Sequence, residues 1–255
     1  MSYTQRRVLI PAVFLLLSSC CAAQQFWAFR AEIGKENTAM LVLHIDQKEV
    51  RGIYFYKRDL KDFPISGGFT SDRDFYLEDK DENGHPRIRF EMKYGLRRKD
   101  CASQYAIWEC QNDSTGIMHN VQTGETLPIS MHLEYSVNGI EGVEMYGGAG
   151  GDDPAVVEKN AQGFYYAVLG DRRDDVAKYV SFPLRCGGCK KPTLIKNRQQ
   201  LLQRYSEIFT RKYVAAIAEG IPHHMFSNWR GIMIGNGEVW FNEKGLAFSL
   251  NLPSN

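Results

Sequence analysis

The chain lacks any hydrophobic run long enough to cross a membrane. Its most apolar stretch is the ten residues 8–17, interrupted by Pro11, whereas a spanning helix needs about 20 apolar residues. It also lacks a charge excess of either sign, with 31 basic and 30 acidic side chains and no basic tract. Because binding to a phosphate backbone needs a positive patch, nucleic acid is excluded as a partner.

Familiar catalytic motifs are missing as well. The chain contains no H-E-x-x-H of zinc proteases, no G-x-S-x-G of hydrolases and no G-x-x-x-x-G-K-[ST] phosphate loop. It has no low-complexity tract and no repeat of a solenoid period. We therefore expect no catalytic residues, no resident metal and no cofactor in a chain of one large or two ordinary domains.

The first two dozen residues have the order of a secretory signal. Arg6 and Arg7 precede the apolar run, and small residues follow it. Residues 17–20, Leu-Ser-Ser-Cys, resemble the lipobox of bacterial lipoproteins, in which the cysteine becomes the first mature residue and carries the acyl chains. The resemblance implies removal of residues 1–19 and lipidation of Cys20. Since no aspartate follows that cysteine, it also implies an anchor in the outer membrane, with the protein facing the periplasm of the bacterial envelope.

Two alternatives to a lipid on Cys20 stay open. One is lipidation at Cys21, and the other is ordinary cleavage after residues 21–23, which releases a soluble protein. Removal of residues 1–19 leaves 29 basic and 30 acidic side chains, so the mature chain is nearly neutral.

Export permits disulfide bonds, and four cysteines follow the signal. Four cysteines allow three pairings, of which we favour the nearest-neighbour pairs Cys101–Cys110 and Cys186–Cys189. The Cys186-Gly-Gly-Cys189 motif is also compatible with a redox or metal pair. Because Pro183 precedes it and Pro192 follows it, the motif is placed in a loop, which favours a structural disulfide.

Residues 20–146 are predicted to form an antiparallel β domain, either a meander, a sandwich or a partial barrel. Short β-branched and aromatic segments are separated by turn residues such as Asn83-Gly84 and Thr123-Gly124. In one of these segments, residues 40–45, both alternating sets of side chains are apolar. The predicted strand segments are 40–45, 51–57, 64–69, 74–79, 87–93, 105–110 and 127–135.

A glycine-rich linker over residues 147–153 is predicted to separate this domain from a second one, residues 154–255. There the hydrophobic period becomes helical, and Asp153 followed by Pro154 marks a helix start. Further helices are predicted over 171–179 and 197–220. The chain then returns to strands, with a hairpin turn at residues 236–237, Asn-Gly.

Helices followed by a hairpin-rich sheet resemble the cone-shaped α+β domain shared by nuclear transport factor, ketosteroid isomerase and cystatin-like proteins. Residues 164–185, 195–209 and 231–241 are similar to that domain in bacterial envelope lipoproteins. The resemblance implies an α+β fold class, with helices packed on a curved antiparallel sheet in the second domain. It implies a fold and no particular activity.

Two motifs suggest metal ligands. Asp79-x-Asp81-x-Asn83-Gly84 is similar to the start of a calcium loop, but the acidic residue needed at loop position twelve is displaced by one, so a polar hairpin turn is favoured. His223 and His224 are adjacent, and neighbours on an extended segment face opposite ways. We therefore interpret them as loop histidines and predict no metal site.

Five aromatic residues of the second domain are candidates to line a ligand pocket in the cone, although we favour a core role for them. A catalytic acid or base at a position matching the isomerases is not identifiable. The five are Tyr165, Tyr205, Phe209, Trp229 and Trp240.

These observations favour a protein that binds another protein without catalysis. The hypothesis is an inhibitor or immunity protein that neutralises a toxic hydrolase reaching the periplasm, such as a lipase or a wall-degrading enzyme. One alternative is a small-molecule lyase, isomerase or hydrolase that uses the carboxy-terminal cone. Another is a structural factor of the envelope.

Overall fold

The computed structural model describes residues 24–35, 37–94, 113–139 and 145–253. The predicted signal 1–19, Cys20, Cys101, Cys110 and the predicted strand 105–110 lie outside the described residues. The described structure is mainly β, with 46% strand against 22% helix, so the predicted α+β class is wrong. Among the described residues, no helix is both long enough and apolar enough to cross a membrane.

The amino-terminal part is a closed barrel of eight antiparallel strands. The strands are β1 (Gln24–Ile33), β2 (Asn37–Asp46), β3 (Glu49–Tyr56), β4 (Phe63–Phe69), β5 (Asp74–Lys80), β6 (Pro86–Tyr94), β7 (Asp113–Asn120) and β8 (Thr126–Gly139). Each strand pairs with the next, and β8 returns to pair with β1, with Ile33 opposite Ile129. Closure replaces the predicted meander, sandwich or partial barrel.

Alternation along the strands fills the barrel interior. Successive residues of a strand point to opposite faces, so every second residue faces inward. The inward positions of β2 carry Ala39, Leu41 and Leu43, which are fully buried. The largest side chains of this interior core are Phe29, Tyr54, Phe75, Phe90, Met92, Met118 and Met131.

The carboxy-terminal part contains a six-stranded mixed sheet in the order β10-β9-β14-β13-β12-β11. Its strands are β9 (Val180–Gly187), β10 (Leu194–Ile195), β11 (Phe226–Asn228), β12 (Gly231–Ile234), β13 (Val239–Phe241) and β14 (Ala247–Asn251). The second and third strands of this order, β9 and β14, are parallel neighbours. The predicted cone-like domain with a curved antiparallel sheet is therefore corrected to a smaller mixed sheet.

The helices of this part are shorter than predicted. They are α1 (Pro154–Leu169), α2 (Arg173–Val176), α3 (Arg198–Gln203), α4 (Tyr205–Ile208) and α5 (Arg211–Glu219). The long helix predicted over 197–220 is broken after α4, where Phe209 leaves helical geometry and the side chain of Thr210 caps a new helix start. The helix predicted over 171–179 reduces to α2 and one 3-10 turn.

Predictions that rested on local chemistry are confirmed. The Asp153 side chain accepts hydrogen bonds from the amides of Ala155 and Val156, and Pro154 opens α1. The buried face of α1 is the predicted one, including Val157, Ala161 and Phe164. The hairpin turn predicted at residues 236–237 joins β12 to β13.

Candidate functional site at the interface between barrel and second domain

The outer face of the barrel packs against the carboxy-terminal part of the chain, residues 145–253 (hereafter the second domain). Met40, Val42 and Phe55 point outward from β2 and β3 and form one buried cluster with Ala28 of β1 and Ile221, which follows α5. This contact explains why both faces of β2 are apolar: one fills the barrel interior and the other covers the second domain.

Cations on the barrel bind the carboxyl end of α5. The Lys57 ammonium donates to the carbonyl of Ala218 at 2.7 Å, and Arg30 donates to the carbonyl of Glu219 at 3.2 Å. The last carbonyls of a helix have no partner within the helix and carry partial negative charge, so these contacts are favourable. They hold the segment after α5 against the barrel and thereby place the two histidines.

Both imidazoles of the histidine pair face Asp62, in the loop after β3. The Nε2 atom of His223 lies 2.8 Å from Asp62 Oδ1, and Nε2 of His224 lies 2.9 Å from Oδ2. The two rings are themselves only 4.1 Å apart between centroids. The prediction that these neighbours point apart is wrong, because His224 has a left-handed φ of 46° and the segment is not extended.

The left-handed backbone of His224 is held from two sides. Its N–H donates to Glu158 Oε1 at 2.9 Å, and its carbonyl accepts the hydroxyl hydrogen of Tyr135. A non-glycine residue in this conformation raises the free energy of the folded state by about 1–3 kcal/mol, so it is found only where surrounding contacts hold it. The left-handed conformation turns the imidazole of His224 toward Asp62.

Glu158 of α1 connects the site to the second domain's core. Its Oε2 lies 2.5 Å from His223 Nδ1, and its Oε1 accepts the hydroxyl of Tyr146 at 2.8 Å. The Tyr146 oxygen in turn accepts the amide of Met225 at 3.1 Å. His223 is 9% exposed and Tyr146 is fully buried, so the polar groups of Glu158, His223 and Tyr146 satisfy one another and not water.

These contacts shift the protonation equilibria of the cluster. Burial alone lowers the pKa of His223, but the hydrogen bonds to Asp62 and Glu158 and their charges outweigh it and raise the pKa from 6.5 to about 9. Burial raises the pKa of both carboxyls, yet the histidine hydrogen bonds leave the pKa of Asp62 and of Glu158 below its ordinary value. At neutral pH, His223 is therefore an imidazolium between two carboxylates.

The raised pKa of His223 predicts that the protein loses stability in alkaline solution. A raised pKa in the folded state stabilises the fold fully below pH 6.5, and this contribution is lost as the pH rises through about 9. The lowered carboxyl pKa values act oppositely, so their contribution is lost as the pH falls below the ordinary carboxyl range. The histidine contribution corresponds to about 3 kcal/mol.

Urea unfolding in EDTA between pH 6 and pH 10 measures this loss. The H223Q variant is expected to have a flatter profile over the same range. Exposed His85 lies in a barrel hairpin, and an H85Q variant should retain the wild-type slope. An equal slope in wild type and H223Q would contradict the assignment.

Three of the five aromatic residues proposed to line a pocket pack into one core, and the two tryptophans lie outside it. Tyr165, Tyr205 and Phe209 belong to the core of the second domain and are at most 8% exposed. Trp240 is half-buried on β13. Trp229 is 79% exposed, the most exposed of the large apolar side chains in the part of the chain that the structure describes.

Trp229 occupies the tip of the hairpin that joins β11 to β12. Asn228 opposes Gly231 across the tip, and its side chain accepts the Arg230 amide at 2.8 Å. The Arg230 guanidinium lies over the indole ring at 4.9 Å from its centroid. The hydroxyl of Ser227 donates to the carbonyl of Met145 at 2.6 Å, which ties the hairpin base to the domain.

Two further motifs are placed in structural roles. Cys186 and Cys189 lie at disulfide distance, with 5.5 Å between their Cα atoms. Asp79 points into the barrel and accepts a hydrogen bond from the Arg87 guanidinium at 2.7 Å. Asp81 instead accepts hydrogen bonds from the backbone amides of Asn83 and His85 in the hairpin turn. The two carboxylates do not converge on one point, in agreement with the predicted polar turn.

Sequence reasoning found the histidine pair but missed its partners. Asp62 lies 161 residues before His223 and Glu158 lies 65 before it, so no local spacing relates them. The one signal in the sequence was the His-His doublet itself. No protein-family model and no curated protein matches the chain.

Proposed function

We propose that this is an envelope lipoprotein, anchored through Cys20, that binds another protein without catalysis. In the proposed role it acts as an inhibitor or immunity protein against a toxic hydrolase that reaches the periplasm. The observation that carries the proposal is Trp229, a large apolar side chain presented to solvent at a hairpin tip.

The chemistry of the tip suits a protein partner. Tryptophan and arginine are the side chains most enriched among residues that dominate protein–protein binding energy. Trp229 and Arg230 stack on each other here, so the pair forms one amphipathic surface. When an exposed indole becomes buried on binding, it removes a large apolar area from water. The entropy lost is small because the side chain has only two rotatable bonds.

The shape of the tip favours a concave partner. A two-residue tip projects beyond the sheet, and a projecting loop with an aromatic anchor inserts into a cleft. The active sites of hydrolases are such clefts, so the geometry supports inhibition by occlusion. The hydrogen bonds of Asn228 and Ser227 hold the tip in place before binding, which lowers the entropy lost on association.

The sequence supports an extracytoplasmic location for this binding. The basic, apolar and small segments in residues 6–20 have the order of a lipoprotein signal. Cys186 and Cys189 lie at disulfide distance, and disulfides persist in oxidising compartments such as the periplasm.

A W229A variant tests the proposal. The partner probe is the product of the adjacent gene, coexpressed with the full chain and then purified for titration. We expect W229A to weaken binding by about 30-fold or more, equivalent to about 2 kcal/mol, and to abolish protection of cells that express the partner. Stability should be unchanged, because the indole makes little contact with the fold.

Tyr166 provides a matched control for that variant. It is 43% exposed on α1, so Y166A removes an exposed aromatic ring away from the hairpin and should leave binding intact. Wild-type affinity in W229A, or no affinity of the wild-type chain for the neighbouring product at micromolar concentration, would count against the proposal.

A further inference from the structure

We infer that Asp62, His223 and His224 form a binding site for a divalent transition-metal ion, with Zn²⁺ as the expected occupant. This site is independent of the Trp229 surface and goes beyond the proposed function. It joins the barrel, which supplies Asp62, to the second domain, which supplies both histidines.

The ligand atoms have the spacing that a metal needs. One atom from each of the three side chains lies within 4.8 Å of the other two. Tetrahedral Zn²⁺ with bonds of about 2.0–2.2 Å places its ligand atoms about 3.4 Å apart. The present separations of 2.8 and 2.9 Å between Asp62 and the Nε2 atoms therefore require an outward shift of about half an ångström.

The donor set selects the class of ion. Imidazole nitrogen suits Zn²⁺ and its transition-metal neighbours, whereas Mg²⁺ and Ca²⁺ take oxygen ligands. Two imidazoles and one carboxylate make three protein ligands, which leaves one tetrahedral position for water. The Asp62 side chain is 40% exposed, so the site is open to solvent on that side.

Both histidines have their other ring nitrogen engaged, which leaves Nε2 for the metal. Glu158 faces Nδ1 of His223, and the Met145 sulfur lies 2.8 Å from Nδ1 of His224. A carboxylate that accepts the Nδ1 hydrogen of a metal-binding histidine fixes the tautomer and orients the ring. Glu158 is thus a positioning residue. Because a metal-binding nitrogen must offer a free lone pair, Zn²⁺ displaces the hydrogen between His223 Nε2 and Asp62, and that proton leaves to solvent.

The backbone of His224 is a second observation in favour of a ligand site. A single histidine between Asp62 and Glu158 already satisfies both carboxylates. The left-handed φ of His224 adds a second imidazole to the same carboxylate, at an energetic cost typical of ligand-binding positions. Two imidazoles directed at one carboxylate form an incomplete coordination shell.

Calorimetric titration of the tag-free full chain with ZnCl₂, after treatment with EDTA and its removal, tests the inference. We expect one Zn²⁺ per chain with submicromolar affinity and a melting temperature several degrees higher when Zn²⁺ is in excess. D62N and H224Q should each weaken binding by about 100-fold or more. E158Q should weaken it by about 10- to 100-fold, as for other groups that orient a metal-binding histidine.

Controls separate this site from adventitious binding. H85Q removes an exposed histidine of the barrel and should bind Zn²⁺ as the wild type does. Co²⁺ in place of Zn²⁺ should give the intense visible absorption of a four-coordinate site, and D62N should lose it. Circular dichroism establishes that each variant is folded.

Three results would overturn the inference. They are the absence of Zn²⁺ binding below about 100 μM, unchanged affinity in folded D62N and H224Q, and a preference for Mg²⁺ or Ca²⁺ over Zn²⁺. The first would show that the cluster is an ion-pair network alone.

Discussion

The E158A variant is expected to lose about 3–5 kcal/mol of unfolding free energy, the range typical of breaking a buried ion pair from one side. Glu158 is the acceptor for the His223 ring, the Tyr146 hydroxyl and the His224 amide. Its side chain is 15% exposed. Truncation removes one hydrogen-bond partner each from the His223 imidazolium, the Tyr146 hydroxyl and the His224 amide. Leaving a buried polar group without its partner is unfavourable.

The same substitution should disturb the site geometrically. Without the Glu158 oxygen that accepts its N–H, His224 loses one of the two contacts that hold its left-handed backbone. We expect the ring of His224 to leave Asp62. Urea unfolding at neutral pH in EDTA measures the stability, and the NMR signals of the histidine side chains report the displacement.

Two comparisons isolate this effect. K159A truncates the next residue, which is exposed on α1, and should change stability by less than about 0.5 kcal/mol. E158Q keeps the shape of the side chain but presents an amide donor to His223, so its loss should lie between those of K159A and E158A. A loss below about 1 kcal/mol in E158A would show that the cluster does not stabilise the fold.

The F55A variant is expected to lose about 3–5 kcal/mol of unfolding free energy and to uncouple the two parts of the molecule. Phe55 is fully buried although it lies on the outer face of the barrel. It packs with Ile221, and its ring meets the rings of His223 and His224 at 4.6 and 5.4 Å between centroids. Its removal opens a cavity in the interface.

Calorimetry distinguishes this role from ordinary core packing. The wild type should unfold in one transition, because the interface couples the barrel to the second domain, and F55A should unfold in two. Phe90 is also fully buried but lies in the barrel interior, so F90A removes the same volume with the interface intact. A single transition in F55A, shifted as in F90A, would argue against coupling through Phe55.

The elements set by neighbouring residues were predictable. Asp153 and Pro154 marked the start of α1, since a capping carboxylate and a fixed proline φ act within one turn. Residues 236–237 marked a hairpin for the same reason. The helix predicted over 197–220 failed because its apolar period continued through Thr210, whose side chain caps a new helix start instead.

The candidate site was beyond local reasoning. Adjacent histidines on an extended strand diverge, and the reversal at His224 depends on hydrogen bonds to Tyr135 and Glu158, which are distant in sequence. The two apolar faces of β2 indicated double burial. They did not reveal that one face fills a barrel and the other meets a second domain.

By itself, the sequence determined the barrel strands β2 to β6 and β8, the hairpin at residues 236–237 and the capped helix α1, because these depend on residues a few positions apart. Tertiary structure alone decided the closure of β8 on β1, the mixed sheet and the meeting of Asp62, Glu158 and the histidine pair. Those contacts join residues separated by up to 162 positions. These residues meet because the whole chain packs in one way, and no pattern of neighbouring residues specifies that packing.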